Sequence, residues 1–380
     1  MTRWNNGLDE VERVSEDITD ETNALPAQYF TDREVHEMEK EKVFGRYWIY
    51  AGHANCVPEP GDHFTRTIGD SELIVVRDHE GEVRAYYNVC AHRGSAMVEE
   101  TPMTDPGNAR RIRCPYHLWT YDLDGSLTNT PKSFEDARLN PDLEDGEVAE
   151  LDADRNALLE VRSDQIGPFV FVNLHDDPPL SLEEQAGAMK DELEALPLGE
   201  YQLARRYVSE VECNWKVFGG NYSECDHCQA NHQEWVEGLE LMDSELEVDD
   251  YHWVLHYKHK EDVDDEVRIH DEHEAKFYYF WPNFTVNMYG TANGYGTYII
   301  DPIDENRFQL VADYYFQDSE LSDEEAEFVR TSRQLQEEDF ELVERQQRGL
   351  ESGAIAQAQL GPNEHTVHRL HLLAQEAYEA

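Results

Sequence analysis

Four residues constrain this chain more than any others. Cys90 and His92 form Cys-x-His, Cys114 and His117 form Cys-x-x-His, and 21 residues separate the two pairs. Two thiols and two imidazoles on paired loops make a metal-ligand set. In a zinc finger both cysteines come from one pair and both histidines from the other. Here each pair supplies one of each.

That order suits a Rieske-type 2Fe–2S centre, in which one iron takes two thiolates and the other two imidazoles. Exchanging two anionic thiolates for neutral imidazoles raises the reduction potential, so the cluster accepts an electron readily and can pass it on. A structural zinc site is the competing reading. An electron donor needs an acceptor, and "NWKVFGGNYSECDHCQANHQEW" (214–235) offers His227 and His232 five residues apart. Five residues fit one face of a regular helix poorly, so an irregular or widened turn is expected between them. Two histidines and one carboxylate with open positions form the facial triad of non-haem Fe(II) oxygenases. Cys225 and Cys228 make a Cys-x-x-Cys; with no βαβ pattern around them, they are expected to be buried, unreactive thiols rather than a redox pair.

Composition excludes several classes. The formal net charge is −51 over 380 residues, and the acids are scattered rather than gathered in a tail. Such a surface repels nucleic acid and anionic membrane, and fits a halophilic, high-salt setting where screening tolerates the self-repulsion. No 18-residue apolar run or signal-peptide core occurs, so a cytoplasmic protein is expected. Six cysteines in so long a chain do not make a disulfide framework.

The chain reads as an all-β module followed by an α+β module. Residues 1–28 are acidic and mostly polar, and are expected to be held loosely until they dock. "TDREVHEMEKEKVFGRYW" is predicted helical, with Thr31 as cap, Glu34 completing a capping box, and Val35, Met38 and Val43 as apolar stripe. Short alternating strands follow, with the hairpin "ELIVVRDHEGEVRAYYNV" and a turn at Asp124-Gly125. Residues 181–196 are predicted as one capped helix, and "EETPMTDPGNARR" as a surface loop. Strands return over 249–317. A long helix boxed at Ser322 and Glu325 and stopped near Gly349 precedes a final amphipathic helix. Tyr278, Phe280, Trp281, Phe284, Tyr289 and Tyr295 are candidates for a cation-binding aromatic cage, against the plainer reading of sheet core. His252, His256 and His259 read as structural or exposed.

"CAHRG" and "CPYHLWTYDLDGSL", followed by "NWK…NYSECDHC…H", "GPFVFVNL" and "PN" (282–283), resemble the catalytic α subunits of Rieske non-haem iron oxygenases, the aromatic ring-hydroxylating oxygenase superfamily. The likeness runs from about Ala24 to the end, and is greatest to the quaternary-ammonium branch of choline, glycine betaine and carnitine oxygenases. It implies an α+β fold: an all-β Rieske domain plus a catalytic domain whose antiparallel sheet is flanked by helices (helix-grip, START-like). The implied division is 1–43 as an N-terminal segment and helix packing on the catalytic domain, 44–165 as the Rieske domain and 166–380 as the mononuclear iron domain.

By the same resemblance Cys90, His92, Cys114 and His117 hold the cluster, and His227 and His232 hold Fe(II). Asn221 lies beside the iron. Glu224 is the carboxylate linking an iron histidine to a cluster histidine of the next subunit; ring-hydroxylating dioxygenases mostly have Asp there. The third iron ligand falls on Asp339, since "QEEDFELVERQQRGL" resembles the family's C-terminal ligand helix; a solvated acidic face is the alternative. Three positions depart from the branch: Gly220 for a common Glu, Asp226 for Tyr and Gln233 for Pro. The stretch between the cluster pairs is also longer than usual.

The implied function is that of a terminal oxygenase component. It would hydroxylate or oxidatively demethylate a small quaternary ammonium compound with O₂ and electrons from a separate NAD(P)H-dependent flavin/iron–sulfur reductase or ferredoxin, as a homotrimer or multiple of it. No GxGxxG fingerprint or P-loop is present for the chain to bind NAD(P)H itself. Alternatives are an aromatic ring-hydroxylating dioxygenase α subunit and, more distantly, a non-catalytic Rieske electron carrier.

Overall fold

The structure is a computed structural model that describes residues 13–16, 18, 22–131, 155–232, 236, 239–259, 274–289 and 293–380. The chain divides into two compact units, one of residues 50–176 and one combining 1–49 with 177–380.

The first unit is all β. Its main sheet takes β1 (Ile49–His53), β2 (Asp62–Ile68), β3 (Ser71–Arg77), β4 (Val83–Tyr87), β5 (Gly107–Asn108), β9 (Glu160–Ile166) and β10 (Phe169–Asn173) in the order β1-β10-β9-β4-β3-β2-β5. A small second sheet joins β6 (Ile112–Arg113), β7 (Thr120–Tyr121) and β8 (Leu127–Asn129). The expected boundary at 165/166 is corrected. It would cut the β9–β10 hairpin, whose register runs from Phe169↔Ile166 to Asn173↔Arg162, and every residue of β10 is buried. Residues 44–48 likewise belong with the second unit, where the Trp48 indole donates to the Leu180 carbonyl. The "EETPMTDPGNARR" loop is exposed for most of its length. It is anchored, however, by β5 pairing with β2 and by Met103, which is buried with its sulfur against the His53 amide.

The second unit is built on a seven-stranded antiparallel sheet: β11 (Gln202–Val211), β12 (Leu239–Val248), β13 (His252–His259), β14 (Glu274–Phe280), β15 (Phe284–Met288), β16 (Gly294–Asp304) and β17 (Arg307–Phe316). The order is β11-β17-β16-β15-β14-β13-β12. Its α-helices among the described residues include α1 (Arg33–Lys42), α2 (Leu182–Ala186), α3 (Ala188–Glu194), α4 (Trp215–Tyr222), α5 (Cys228–Asn231), α6 (Asp323–Glu351) and α7 (His365–Glu379).

Several local expectations change. The cap of α1 is Asp32, whose carboxylate accepts from the Glu34 amide; Thr31 instead donates to the Ala27 carbonyl, closing the preceding 3-10 turn. Within α1 the buried positions are His36 and Glu39; of the expected apolar stripe Val35 and Met38 are only half-buried, while Val43, just past the helix end, is fully buried. Residues 181–196 form two helices because Gly187 breaks them at φ 50°, where a Cβ would stand 2.7 Å from an Asp249 carboxylate oxygen. The Ser322/Glu325 capping box starts α6. Of the first 28 residues, Val14, Ala24, Leu25 and Ala27 are buried, and Ala24 and Ala27 donate to the Ala358 and Ala356 carbonyls. No described helix is long and apolar enough to cross a membrane.

Candidate metal centres and the pocket beside them

The two Cys–His loops share one backbone frame. In each, the cysteine N–H donates to the carbonyl five residues on, Ser95 for Cys90 and Trp119 for Cys114, both at 2.9 Å. The amide four residues on, of Gly94 or Leu118, donates back to the cysteine carbonyl. That fourth residue has positive φ in both loops, 71° at Gly94 and 63° at Leu118, a conformation that leucine adopts only at a cost. The thiols of Cys90 and Cys114 are buried among Ile74, Tyr86, Trp119 and Tyr121, while His92 and His117 stand towards the outside with ring centroids 4.8 Å apart. His117 Nδ1 is buried without a hydrogen-bond partner, which costs free energy unless something ligates it. Burial opposes the Cys114 thiolate, yet the amides of Tyr116 and His117 offset it and bring the thiol below its usual value. A ligand set with thiolates inside and imidazoles outside fits a Rieske cluster.

The second centre lies where α4, α5 and α6 meet the sheet. Asn214 caps α4 by accepting from the Lys216 amide, and is itself held by Gln347 of α6. After α4 the chain makes one helical turn, α5, with His227 at its start and His232 just past its end. This is the irregular turn expected from the spacing: His232 leaves helical geometry at ψ 64°, so its ring swings back towards His227. Asp339 of α6 completes the group, with Oδ1 3.0 Å from His232 Nε2 and 3.3 Å from His227 Nε2.

Both imidazoles are held from behind. Glu224 accepts from His227 Nδ1–H, and Glu338 accepts from His232 Nδ1–H at 2.9 Å. Glu338 is in turn oriented by the Gln334 amide. Burial disfavours the charged rings, but the carboxylates outweigh it, pushing His227 up to about 9 and raising His232. Burial likewise opposes the Asp339 charge, and the two histidines more than offset it, so its carboxyl is held low. Three carboxylates around two imidazoles stabilise a cation, and three ligand atoms converge on one point with room beside it. Asn221 Nδ2 lies 3.1 Å from His227 Nε2, at the rim of that point.

Position therefore brings together Asn221, Glu224, His227, His232 and Asp339. Gln233, the third departure from the branch, lies outside the described residues. Two features were not anticipated. Glu338 follows from nothing but the acidic run, and Cys225 and Cys228 form a disulfide rather than two thiols.

A pocket opens onto the convergent atoms. Its walls are Phe218, Tyr222, Leu255, Tyr257, Phe277, Tyr289 and Tyr298, and its polar groups include Asn287 and Gln336. Among the six aromatic candidates from the sequence only Tyr289 lines it; Tyr278, Phe280, Trp281, Phe284 and Tyr295 are buried elsewhere in the core. The far wall is fixed by a buried network. Tyr289, Tyr298 and Tyr314 hydroxyls lie within 2.9–3.3 Å of Ser332 Oγ, and Gln336 donates to Tyr298 and Tyr314. His252 and His256 are buried in β13, away from the convergent atoms.

Comparison with known proteins finds a family model for each of the two regions. Residues 47–139 match the model of the Rieske [2Fe-2S] domain, and residues 198–380 that of the ring hydroxylating alpha subunit (catalytic domain). The carnitine monooxygenase oxygenase subunit of Escherichia coli (strain K12) is 32% identical over 367 residues, 92% of this chain and 93% of that protein. The chloroplastic choline monooxygenase of Spinacia oleracea is 28% identical over 94% of this chain and 79% of its own length. The structure of the quaternary ammonium Rieske monooxygenase CntA with L-carnitine aligns at TM-score 0.79 and 27% identity, covering 97% of this chain and all of that one. Naphthalene 1,2-dioxygenase from Rhodococcus sp. shares the fold, with TM-score 0.75 and 20% identity over 93% of this chain and 94% of its own.

Proposed function

Since the chain belongs to the Rieske ring-hydroxylating oxygenase α subunits, the quaternary-ammonium branch included, we propose that it oxidises a quaternary ammonium compound of choline, betaine or carnitine type. It is an oxidoreductase that incorporates O₂ and uses a Rieske 2Fe–2S cluster with mononuclear iron. We assign Cys90, His92, Cys114 and His117 to the cluster, and His227, His232 and Asp339 to the iron. When bound, the cluster supplies single electrons and the iron activates O₂.

The observation that carries the substrate reading is the aromatic pocket ending at the Asp339 carboxylate, with Glu224 also on its lining. Trimethylammonium groups are apolar at the surface and cationic overall, so ring faces and nearby negative charge suit them together. The described lining residues include no lysine or arginine. The chain's own part in the reaction is positioning. Tyr222, Tyr257, Phe277, Tyr289 and Tyr298 would hold the methylated nitrogen and keep out water, while Glu224 and Glu338 keep both Nε2 atoms turned inward. Electrons come from a separate NAD(P)H-dependent reductase or ferredoxin, and the assembly is a homotrimer or a multiple of it. A high-salt cytoplasm is the setting that the −51 charge favours.

The test is O₂ uptake by the holoprotein with a reductase, offering choline, glycine betaine, carnitine and benzoate in turn. Uptake coupled to product with one of the first three is expected. Coupled turnover of benzoate alone would overturn the substrate class in favour of a ring-hydroxylating dioxygenase.

Glu224 gives a second expectation. Its two oxygens accept from His227 Nδ1–H and from the Asp226 amide. In Glu224→Gln the amide NH₂ must face one of these donors, so one bond is lost while size is kept. If Glu224 links the iron site to a neighbour's cluster, single-turnover oxidation of the prereduced cluster slows by about 10–100-fold with both metals retained. Wild-type rates in this variant would remove Glu224 from the electron path.

A further inference from the structure

The disulfide between Cys225 and Cys228 straddles His227, one of the two histidines at the mononuclear centre. Cys228 Sγ lies 3.9 Å from His227 Nε2, and the ligand atoms of His227, Cys228 and His232 all fall within 4.8 Å of one another. Ligand atoms around one tetrahedral ion with bonds near 2.0–2.3 Å stand about 3.5 Å apart, so a small shift of the sulfur brings it into a ligand position. While it is bonded to Cys225 that sulfur is a poor ligand; as a thiolate it is a strong one.

The two sulfurs differ in surroundings. Cys228 is buried, whereas Cys225 is half-exposed and both line the substrate pocket. Which sulfur an incoming thiol attacks decides which one leaves as thiolate. Attack on Cys225 releases Cys228, the sulfur that faces the histidines.

We propose that the Cys225–Cys228 disulfide masks a fourth, thiolate ligand of the mononuclear metal site, and that thiol–disulfide exchange at Cys225 unmasks it. This rests on the reading of His227, His232 and Asp339 as that site. In the exchange a thiolate RS⁻ forms a bond to Cys225 Sγ, the Cys225–Cys228 bond breaks, and Cys228 leaves with the electron pair. A second RSH then resolves the mixed disulfide, giving the Cys225 thiol and RSSR. Overall the protein gains two electrons and two thiols of the donor are oxidised. The proton otherwise carried by Cys228 goes to solvent when its sulfur binds metal. The disulfide form leaves positions vacant for the reaction; the reduced form fills one with sulfur and adds a negative charge to a site that already holds three carboxylates.

The experiment reads the metal shell directly. Holoprotein, its Rieske spectrum intact, is stripped of mononuclear metal with a chelator and given one Co(II) per chain. It is then studied by X-ray absorption at the cobalt edge, before and after reduction with a water-soluble phosphine. The phosphine takes its oxygen from water and brings no thiol of its own. Expected is a shell of nitrogen and oxygen in the untreated protein and one added sulfur at about 2.3 Å after reduction. Cys225→Ser should carry that sulfur without reductant, and Cys228→Ser should lack it in both states. Alkylation of the denatured protein should reach Cys225 and Cys228 only after reduction.

Reduced wild type and Cys225→Ser both without sulfur would overturn the proposal, as would free thiols at both positions in the untreated protein. Untreated protein that fails to hold Co(II), or holds it without imidazole scattering, would overturn the underlying metal-site reading and the proposal with it.

Discussion

Asp339→Ala is expected to empty the mononuclear site while the Rieske spectrum stays unchanged. Asp339 Oδ1 is the atom towards which both Nε2 atoms converge, at 3.0 and 3.3 Å, and among the described residues it supplies the only charge at that point; Glu224 and Glu338 are spent on the far sides of the rings. Without it two neutral imidazoles remain, a set that binds divalent iron weakly. Removing an outer partner of a metal ligand costs roughly 10–100-fold in affinity or activity, and removing the ligand itself costs more. Metal analysis after desalting should give less than one mononuclear iron per chain, with turnover abolished. A variant that retains that iron and turns over would show that Asp339 is not a ligand. The cluster is the internal control, because Cys90, His92, Cys114 and His117 share no residue with the second site.

The largest expected effect on stability lies at α4, the helix that precedes the iron histidines. Lys216 of α4 and Glu39 of α1 are 0% and 1% exposed, and Lys216 Nζ lies 2.6 Å from Glu39 Oε1. Glu39 Oε2 accepts from the Trp215 indole at 2.9 Å, and the Tyr378 hydroxyl donates to Oε1. The ammonium also lies over the Phe30 and Trp215 rings. Burial favours loss of the Lys216 proton and the Glu39 carboxylate opposes this. Glu39→Ala leaves the ammonium buried with neither its partner nor water, and should cost about 3–5 kcal/mol. Replacing both by apolar residues, Glu39→Leu with Lys216→Met, should recover most of the loss, since a buried pair stabilises little more than a packed apolar one. Thermal unfolding of the three proteins checks this. A single variant as stable as wild type would mean that the pair is not a determinant of how α4 is held.

Legibility in the sequence followed the range of the interactions involved. Ligand spacings are local, so "CAHRG", "CPYHLW" and His227…His232 could be read directly, as could the Ser322/Glu325 box. Asp339 needed the resemblance, because four acids in five positions look alike until α6 meets the histidines. The aromatic wall was not legible. Neighbouring residues of a strand point to opposite faces, and here both faces are buried, so Phe277 at the pocket and Tyr278 in the core carry the same pattern of neighbours. Glu39 reads as a solvated helix residue; only Lys216, far along the chain, makes it a core one. The helix over 181–196 failed at one backbone angle, since Gly187 inside a helical pattern looks tolerable until Asp249 closes the space for a side chain.

The matched frames of the cluster loops bear on the order in which this protein is assembled. Each loop closes on itself through bonds to its own cysteine, so the backbone frames that carry Cys90 with His92 and Cys114 with His117 need neither iron nor sulfide to close. The conformational entropy of ordering about 1–2 kcal/mol per residue is therefore lost when the β framework folds rather than when the cluster is inserted. Cluster delivery then becomes a docking event into a standing cage, with a barrier set by access past the outward-facing imidazoles.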